Sequence, residues 1–100
     1  MNVLDKYLTE IRKLCDNHKV KSLYAFGSVL TDQFNSESDV DLIVDFSNIE
    51  LEEYADNYFD LKFSLQDMLK RPVDLLEEKA IKNPFLKQSL YQQRHLIYGQ

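Results

Sequence analysis

One stretch, SDVDLIVDF at residues 38–46, constrains the fold more than any other part of this 100-residue chain. Its apolar and polar side chains alternate, which is the period of a half-buried β-strand. One face would carry four apolar side chains: Val40, Leu42, Val44 and Phe46. The opposite face would carry Asp39, Asp41, Ile43 and Asp45. Such a strand predicts a sheet whose apolar face is covered by helices and whose other face presents carboxylates.

Three segments have the spacing of helices that could cover this sheet. Apolar residues recur at helical intervals from about Val3 to His18 and again over Glu50–Lys70. Tyrosines within the second of these segments are interpreted as core residues. A third helix is predicted to begin at Asn83 as N-cap with Pro84 at its first position, and to end at Gly99.

Further strands are predicted at Ser22–Phe26 and Pro72–Leu76, and the polar stretch Val29–Glu37 is predicted to form a short helix and a loop. The elements then alternate between helix and strand along the chain. This order is typical of an α/β fold with a small mixed sheet and helices packed mainly on one face. With no repeat or linker apparent, residues 1–100 are expected to form a single domain.

Composition narrows the class of protein. Hydrophobic residues make up 44% of the chain, enough for one core, and the formal net charge is −5. Nucleic-acid binders usually present a basic stripe, and none is visible, so no nucleic-acid ligand is expected. A single cysteine, Cys15, fits a reducing compartment and is interpreted as a buried thiol. No segment resembles a membrane span, so a cytoplasmic protein is expected.

The aspartates are the candidate chemical groups. Asp39 and Asp41 would project from one strand face with Cα atoms about 6.5–7 Å apart. Asp74, on the strand Pro72–Leu76, could join them if the two strands are neighbours. Carboxylate ligands suit Mg²⁺, and three of them could hold two ions for phosphoryl transfer. Paired acidic residues are also common on solvated surfaces, and Asp45 is assigned no role.

A second motif, Gly27-Ser28, follows the first predicted strand. Glycine permits close approach of the backbone to a phosphate, and free N–H groups with a hydroxyl can bind phosphate oxygens. An ordinary turn followed by a helix cap would use the same two residues. The motif alone therefore leaves both interpretations open.

Taken together, Gly27-Ser28, ten intervening residues and Asp39-Val40-Asp41 resemble the signature of the DNA polymerase β-like nucleotidyltransferase superfamily. The stretch AFGSVLTDQFNSESDVDLIVDF is similar to the minimal nucleotidyltransferases, called MNT proteins. KRPVDLLEE and NPFLKQSLYQQRHLIYG extend the resemblance over nearly the whole chain.

The resemblance implies a role for each motif residue. Gly27 and Ser28 would hold the triphosphate of ATP, and Asp39 and Asp41 would bind two Mg²⁺ ions. Asp74 would complete this metal site and help to deprotonate the acceptor hydroxyl. Many relatives carry an arginine directly after Gly-Ser, whereas this chain has Val29, which puts nucleotide affinity in question.

The resemblance also suggests a partner. MNT proteins typically act as antitoxins that transfer AMP to a tyrosine of a HEPN-domain toxin, so that partner and reaction are expected here. The alternative is a non-catalytic module that neutralises a partner by contact alone.

Two distant histidines, His18 and His95, do not indicate a zinc site.

Overall fold

Four strands form one mixed sheet in this computed structural model, which describes residues 3–26 and 39–99. In chain order the strands are β1 (Val20–Phe26), β2 (Val40–Phe46), β3 (Val73–Glu77) and β4 (His95–Gly99). Their spatial order is β3-β2-β1-β4. β2 and β3 run parallel, while β1 is antiparallel to both of its neighbours. The predicted fold class, a small mixed sheet with helices, is confirmed.

The N-terminal helix predicted as one element consists of two, α1 (Val3–Lys6) and α2 (Leu8–Asn17). The interruption falls at Tyr7, whose backbone is not helical (ψ 16°). The periodic apolar stripe nevertheless faces the sheet on both sides of the break. Its fully or almost fully buried members are Leu4, Ile11 and Cys15.

The long helix α3 (Leu51–Leu69) matches its predicted position to within one residue at each end. Its apolar stripe is buried at intervals of four residues, at Leu61, Leu65 and Leu69. The helix ends at Lys70, which adopts a left-handed conformation with φ 58°. Tyr54 and Tyr58 pack against the core, as predicted, and the Tyr58 hydroxyl donates a hydrogen bond to the Leu75 carbonyl at 2.5 Å.

The C-terminal prediction was correct at its start and wrong at its end. α4 (Pro84–Gln93) begins as expected: the Asn83 side chain accepts hydrogen bonds from the N–H groups of Phe85 and Leu86. The helix stops at Gln93 instead of continuing to Gly99, and β4 follows. Residues 95–99 (HLIYG) are a short apolar run, for which periodicity does not distinguish helix from strand. Pairing with β1 favours the strand conformation, because it provides hydrogen-bond partners for the backbone groups at an otherwise exposed edge of the sheet.

The two faces of the sheet differ in composition. The core face carries the apolar side chains of β2, all 5% exposed or less, packed on α1–α3 in one hydrophobic cluster. The second face carries Asp41, Ile43 and Asp45. This face was expected to be open to solvent, but it is partly covered, because Ile43 is only 1% exposed. In the described ranges, no helix has the length and hydrophobicity to traverse a lipid bilayer.

Candidate active site

Asp41 and Asp74 lie side by side on the second face of the sheet. Asp41 of β2 is the register partner of Asp74 of β3 in the parallel ladder. Neighbouring strands are about 4.8 Å apart, and residues paired in register project to the same side. The sequence could only state that Asp74 would join Asp41 if their strands were neighbours, and the topology makes them so.

A third carboxylate, that of Asp39, interacts electrostatically with Asp41 of this pair. Asp39 immediately precedes β2 and is exposed. Partial burial, and after it the charges of Asp74 and Asp39, raise the pKa of Asp41 above its ordinary value. Asp41 thus has two carboxylates close enough to disfavour its ionisation, and a cation bound beside it would offset this effect.

The two phosphate-binding candidates, Gly27 and Ser28, lie outside the described residues, as does Val29. The predicted short helix and loop at Val29–Glu37 also lies outside them. Phe26, the last described residue before this segment, is the register partner of Asp41 in the antiparallel ladder. The chain therefore leaves β1 beside the carboxylate pair.

The donor set of this site consists of carboxylate oxygens, which are the ligands that Mg²⁺ prefers. Partial burial, and after it the charges of Asp74 and Asp39, raise the pKa of Asp41, and a bound cation would favour its ionised form. Within residues 3–26 and 39–99, however, no three acidic, histidine or cysteine side chains are arranged to hold a metal by themselves. This arrangement fits Mg²⁺ with part of its coordination shell left to water and substrate phosphates, as is usual for this ion.

Arg94 covers part of the second face. Sequence reasoning missed this role, because it placed Arg94 on the surface of the predicted C-terminal helix. Its guanidinium group lies 3.8 Å from the ring centroid of Tyr24 and 4.2 Å from that of Tyr91. Arg94 Nη1 also donates to Glu78 Oε1 at 2.7 Å. Because Tyr24 belongs to β1 and Glu78 follows β3, this arginine braces both sides of β2. An arginine directly before a run of strand-forming residues was the available signal.

Other polar residues have structural partners. Asp45, which was given no role, lies on the second face with Oδ1 3.4 Å from Lys79 Nζ. His18 is buried, with Nδ1 2.7 Å from the Leu14 carbonyl and Nε2 2.6 Å from Asp60 Oδ2. Cys15 is fully buried, as predicted, and burial raises the pKa of its thiol to about 12, so it is not a nucleophile at neutral pH.

Adjacent carboxylates on neighbouring strands of a mixed sheet are a suitable ligand set for metal-dependent phosphoryl transfer, and sequence comparison gives the family. The profile of the family described as Polymerase beta, Nucleotidyltransferase matches residues 9–100. This chain belongs to that family and is a nucleotidyltransferase.

Individual relatives make the comparison more specific than the family alone. One protein of Methanocaldococcus jannaschii is 39% identical over 85 residues, covering 85% of this chain and 82% of the relative. A second protein of that organism is 34% identical over 101 residues, covering 93% and 98%. Both are provisionally named protein adenylyltransferases.

Solved structures share the fold. One described, also provisionally, as a minimal nucleotidyltransferase superposes with a TM-score of 0.78 at 25% identity, covering 95% of each chain. A toxin–antitoxin complex with AMP-PNP gives 0.72 at 23% identity, covering 93% of this chain and 73% of the other. A tri-AMPylated HEPN toxin of Shewanella oneidensis with its MNT antitoxin gives 0.67 at 22% identity, covering 96% and 72%.

Proposed function

We propose that this nucleotidyltransferase transfers AMP, or another nucleoside monophosphate, from a nucleoside triphosphate to a hydroxyl group of a protein partner in a Mg²⁺-dependent reaction. The observation that carries the proposal is the in-register pairing of Asp41 with Asp74, with Asp39 adjoining. An acidic surface that is merely solvated does not require carboxylates of two neighbouring strands to be paired in register on one face of the sheet.

Each carboxylate has a distinct task in this proposal. Asp39 and Asp41 would hold two Mg²⁺ ions, with Asp74 completing the set; the bound ions would neutralise charge on the phosphates. Asp74 also accepts the proton of the acceptor hydroxyl. The acceptor oxygen forms a bond to the α-phosphorus, the bond from that phosphorus to the bridging oxygen breaks, and pyrophosphate leaves. Gly27 and Ser28 bind the triphosphate.

The proposed partner is a HEPN-domain toxin modified on a tyrosine, with this chain acting as its antitoxin. Three observations support this assignment. The relatives named above are called protein adenylyltransferases, and one structural neighbour is an MNT antitoxin bound to a tri-AMPylated HEPN toxin. The acidic second face also favours a partner that presents basic residues around its hydroxyl group.

A transfer assay tests the proposal. The chain is incubated with labelled ATP, Mg²⁺ and the product of the neighbouring reading frame, which the proposal expects to be a HEPN-domain protein, and that partner is analysed by mass spectrometry. We expect a mass increase of one or more AMP units, and none with the Asp39→Asn/Asp41→Asn variant. Asp45→Asn is the matched control, since Asp45 lies on the same face of β2 and should leave transfer intact.

One result would favour neutralisation by contact alone. If the Asp39→Asn/Asp41→Asn variant still binds and neutralises the partner with no mass added, transfer is not the antitoxin mechanism. Chelation of the metal with EDTA provides a second control, and transfer that persists in EDTA would contradict the role of Mg²⁺.

A further inference from the structure

Two phenylalanines are exposed on α3, on a side of the helix that the core does not use. Phe59 and Phe63 are 48% and 57% exposed and lie one helical turn apart. Their rings stack with centroids 5.8 Å apart and an interplanar angle of 28°. Two adjacent exposed aromatic rings form a contiguous apolar patch, which is more often a binding surface than two isolated apolar side chains are.

The patch lines one wall of a groove of about 720 Å³, here called the α3 groove. Ile49 adds apolar surface to it, and three carboxylates border it: Glu53, Asp56 and Asp60. Among the described residues of the lining, Lys19 is the one basic side chain, and its Nζ lies 3.7 Å from Glu53 Oε2. The lining therefore combines apolar side chains with an excess of acidic over basic groups.

The wall of the groove is held in place by contacts to the preceding helix. Asp60 accepts at 2.6 Å from the buried His18 ring, and Asn57 Nδ2 donates to the His18 carbonyl at 2.8 Å. These bonds fix α3 against the end of α2. A ligand would thus meet a preformed surface and would not have to order it.

The α3 groove and the carboxylate pair lie on opposite sides of the sheet. α3 packs on the core face through Leu61 and Leu65, whereas Asp41 and Asp74 lie on the second face. A protein bound in the groove would leave Asp41 and Asp74 accessible.

We propose that the α3 groove docks a basic amphipathic helix of another protein, with apolar side chains on Phe59 and Phe63 and Lys or Arg side chains against the bordering carboxylates. The charge of the groove selects this occupant. A second copy of this chain, docked groove to groove about a two-fold axis, would oppose like charges at the interface. A helix, about 10 Å in diameter with side chains, presents its residues at the i, i+4 spacing of the two rings.

A binding experiment without nucleotide tests this site independently of the transfer reaction. The probe is a fluorescent synthetic helix with leucines on one face and lysines flanking them, titrated with the full chain at about 0.15 M salt. We expect Phe59→Ser/Phe63→Ser to weaken binding about tenfold or more, because the charges stay unchanged while the apolar anchors are lost. Leu51→Ser/Phe85→Ser, which removes even more exposed apolar side chains outside the groove, should bind like wild type.

Several results would overturn the proposal. These are no binding of the lysine helix to wild type, equal binding by wild type and the Phe59→Ser/Phe63→Ser variant, or equally tight binding of a helix with glutamate in place of lysine. A wild-type dimer that becomes monomeric on Phe59→Ser/Phe63→Ser substitution would assign the groove to a second copy instead. Unchanged thermal unfolding of both double variants establishes that these exposed substitutions leave the fold intact.

Discussion

The two faces of β2 differ although their residues alternate along one strand. On the core face, Val40, Leu42 and Val44 are 0% exposed and contribute to a single hydrophobic cluster. On the second face, Asp41 and Asp45 are only partly buried, and Ile43 between them is covered. The side chains that stabilise the sheet and those that form the candidate site thus share one backbone. Rigidity gained on the first face positions the carboxylates on the second.

The comparison predicts that substitutions on the two faces affect different properties. The core face should control the free energy of unfolding, with its effect on activity following only from loss of folded protein. The carboxylates of the second face should control nucleotide transfer, and their substitution should cost little stability. The following substitutions test this separation, beginning with the largest effect.

The largest effect is expected for Asp74→Asn, which removes the proposed proton acceptor from the second face. General-base catalysis contributes about 10²–10⁴-fold, so the rate of AMP transfer should fall by that factor. The thermal midpoint should stay near that of wild type, because Asp74 is exposed. ATP affinity, measured by calorimetry, should be largely retained. Asp41→Asn, which removes a proposed metal ligand, should weaken ATP binding. An equal loss of ATP binding in Asp74→Asn would contradict the assignment of Asp74 to the acceptor side.

The next largest effect is expected for Leu42→Ala, a substitution on the core face directly after Asp41 in the chain. Truncating a fully buried leucine leaves a cavity and costs about 2–5 kcal/mol of unfolding free energy. Urea titration should show this loss, while transfer per folded molecule should remain measurable at low temperature. The control is Leu51→Ala at an 87% exposed position, which should change stability by no more than about 0.5 kcal/mol. Similar losses in both variants would remove the distinction between core and surface.

The brace on the second face is expected to have an intermediate effect. Arg94→Ala removes the guanidinium group from between the rings of Tyr24 and Tyr91 and leaves Glu78 unpaired. We expect a loss of about 1–2 kcal/mol in urea unfolding. Arg94→Lys should recover only part of it, since an ammonium group cannot reproduce the planar stack. Full recovery by lysine would mean that charge alone matters at this position.

The smallest effect is a gain in stability. Partial burial and the charges of Asp74 and Asp39 raise the pKa of Asp41, so the folded protein holds this proton more tightly than the unfolded chain. Ionised Asp41 therefore lowers stability at neutral pH, and the penalty disappears as the pH falls through the raised pKa toward the ordinary value of 3.8.

Asp41→Asn should accordingly raise the melting temperature in EDTA at pH 7 by a few degrees at most, because solvent screens a partly exposed carboxylate. The difference from wild type should shrink as the pH is lowered toward 4, as measured by scanning calorimetry. A constant difference across this range would show that charge repulsion is not its cause.

Regular patterns in the sequence were sufficient to predict most elements of the fold. The alternation in β2 and the periodic stripes of α2 and α3 specify which side of each element is apolar, and burial follows those sides. Asn83-Pro84 marked the start of α4 correctly, because its capping depends on local bonds alone. The family signature likewise depends on local spacing, and family membership is shown by the matched profile.

The tertiary structure decided the features that depend on which strands are neighbours. The local sequence did not indicate that residues 95–99 would leave a helix and pair with β1. Gly99 illustrates the reason: a predicted helix stop, it has φ +86°, and a Cβ there would lie 2.1 Å from the Lys21 carbonyl oxygen. The glycine allows close approach of two strands that are distant in sequence.

The same reason applies to the candidate site. Sequence alone identified Asp39, Asp41 and Asp74 as chemical candidates, but whether Asp74 meets Asp41 depends on the parallel register of β2 and β3. The Arg94 brace and the α3 groove also join residues that are far apart in the chain. Local propensity and hydrophobic period act over a few residues, whereas contacts between distant segments are fixed only when the whole core packs.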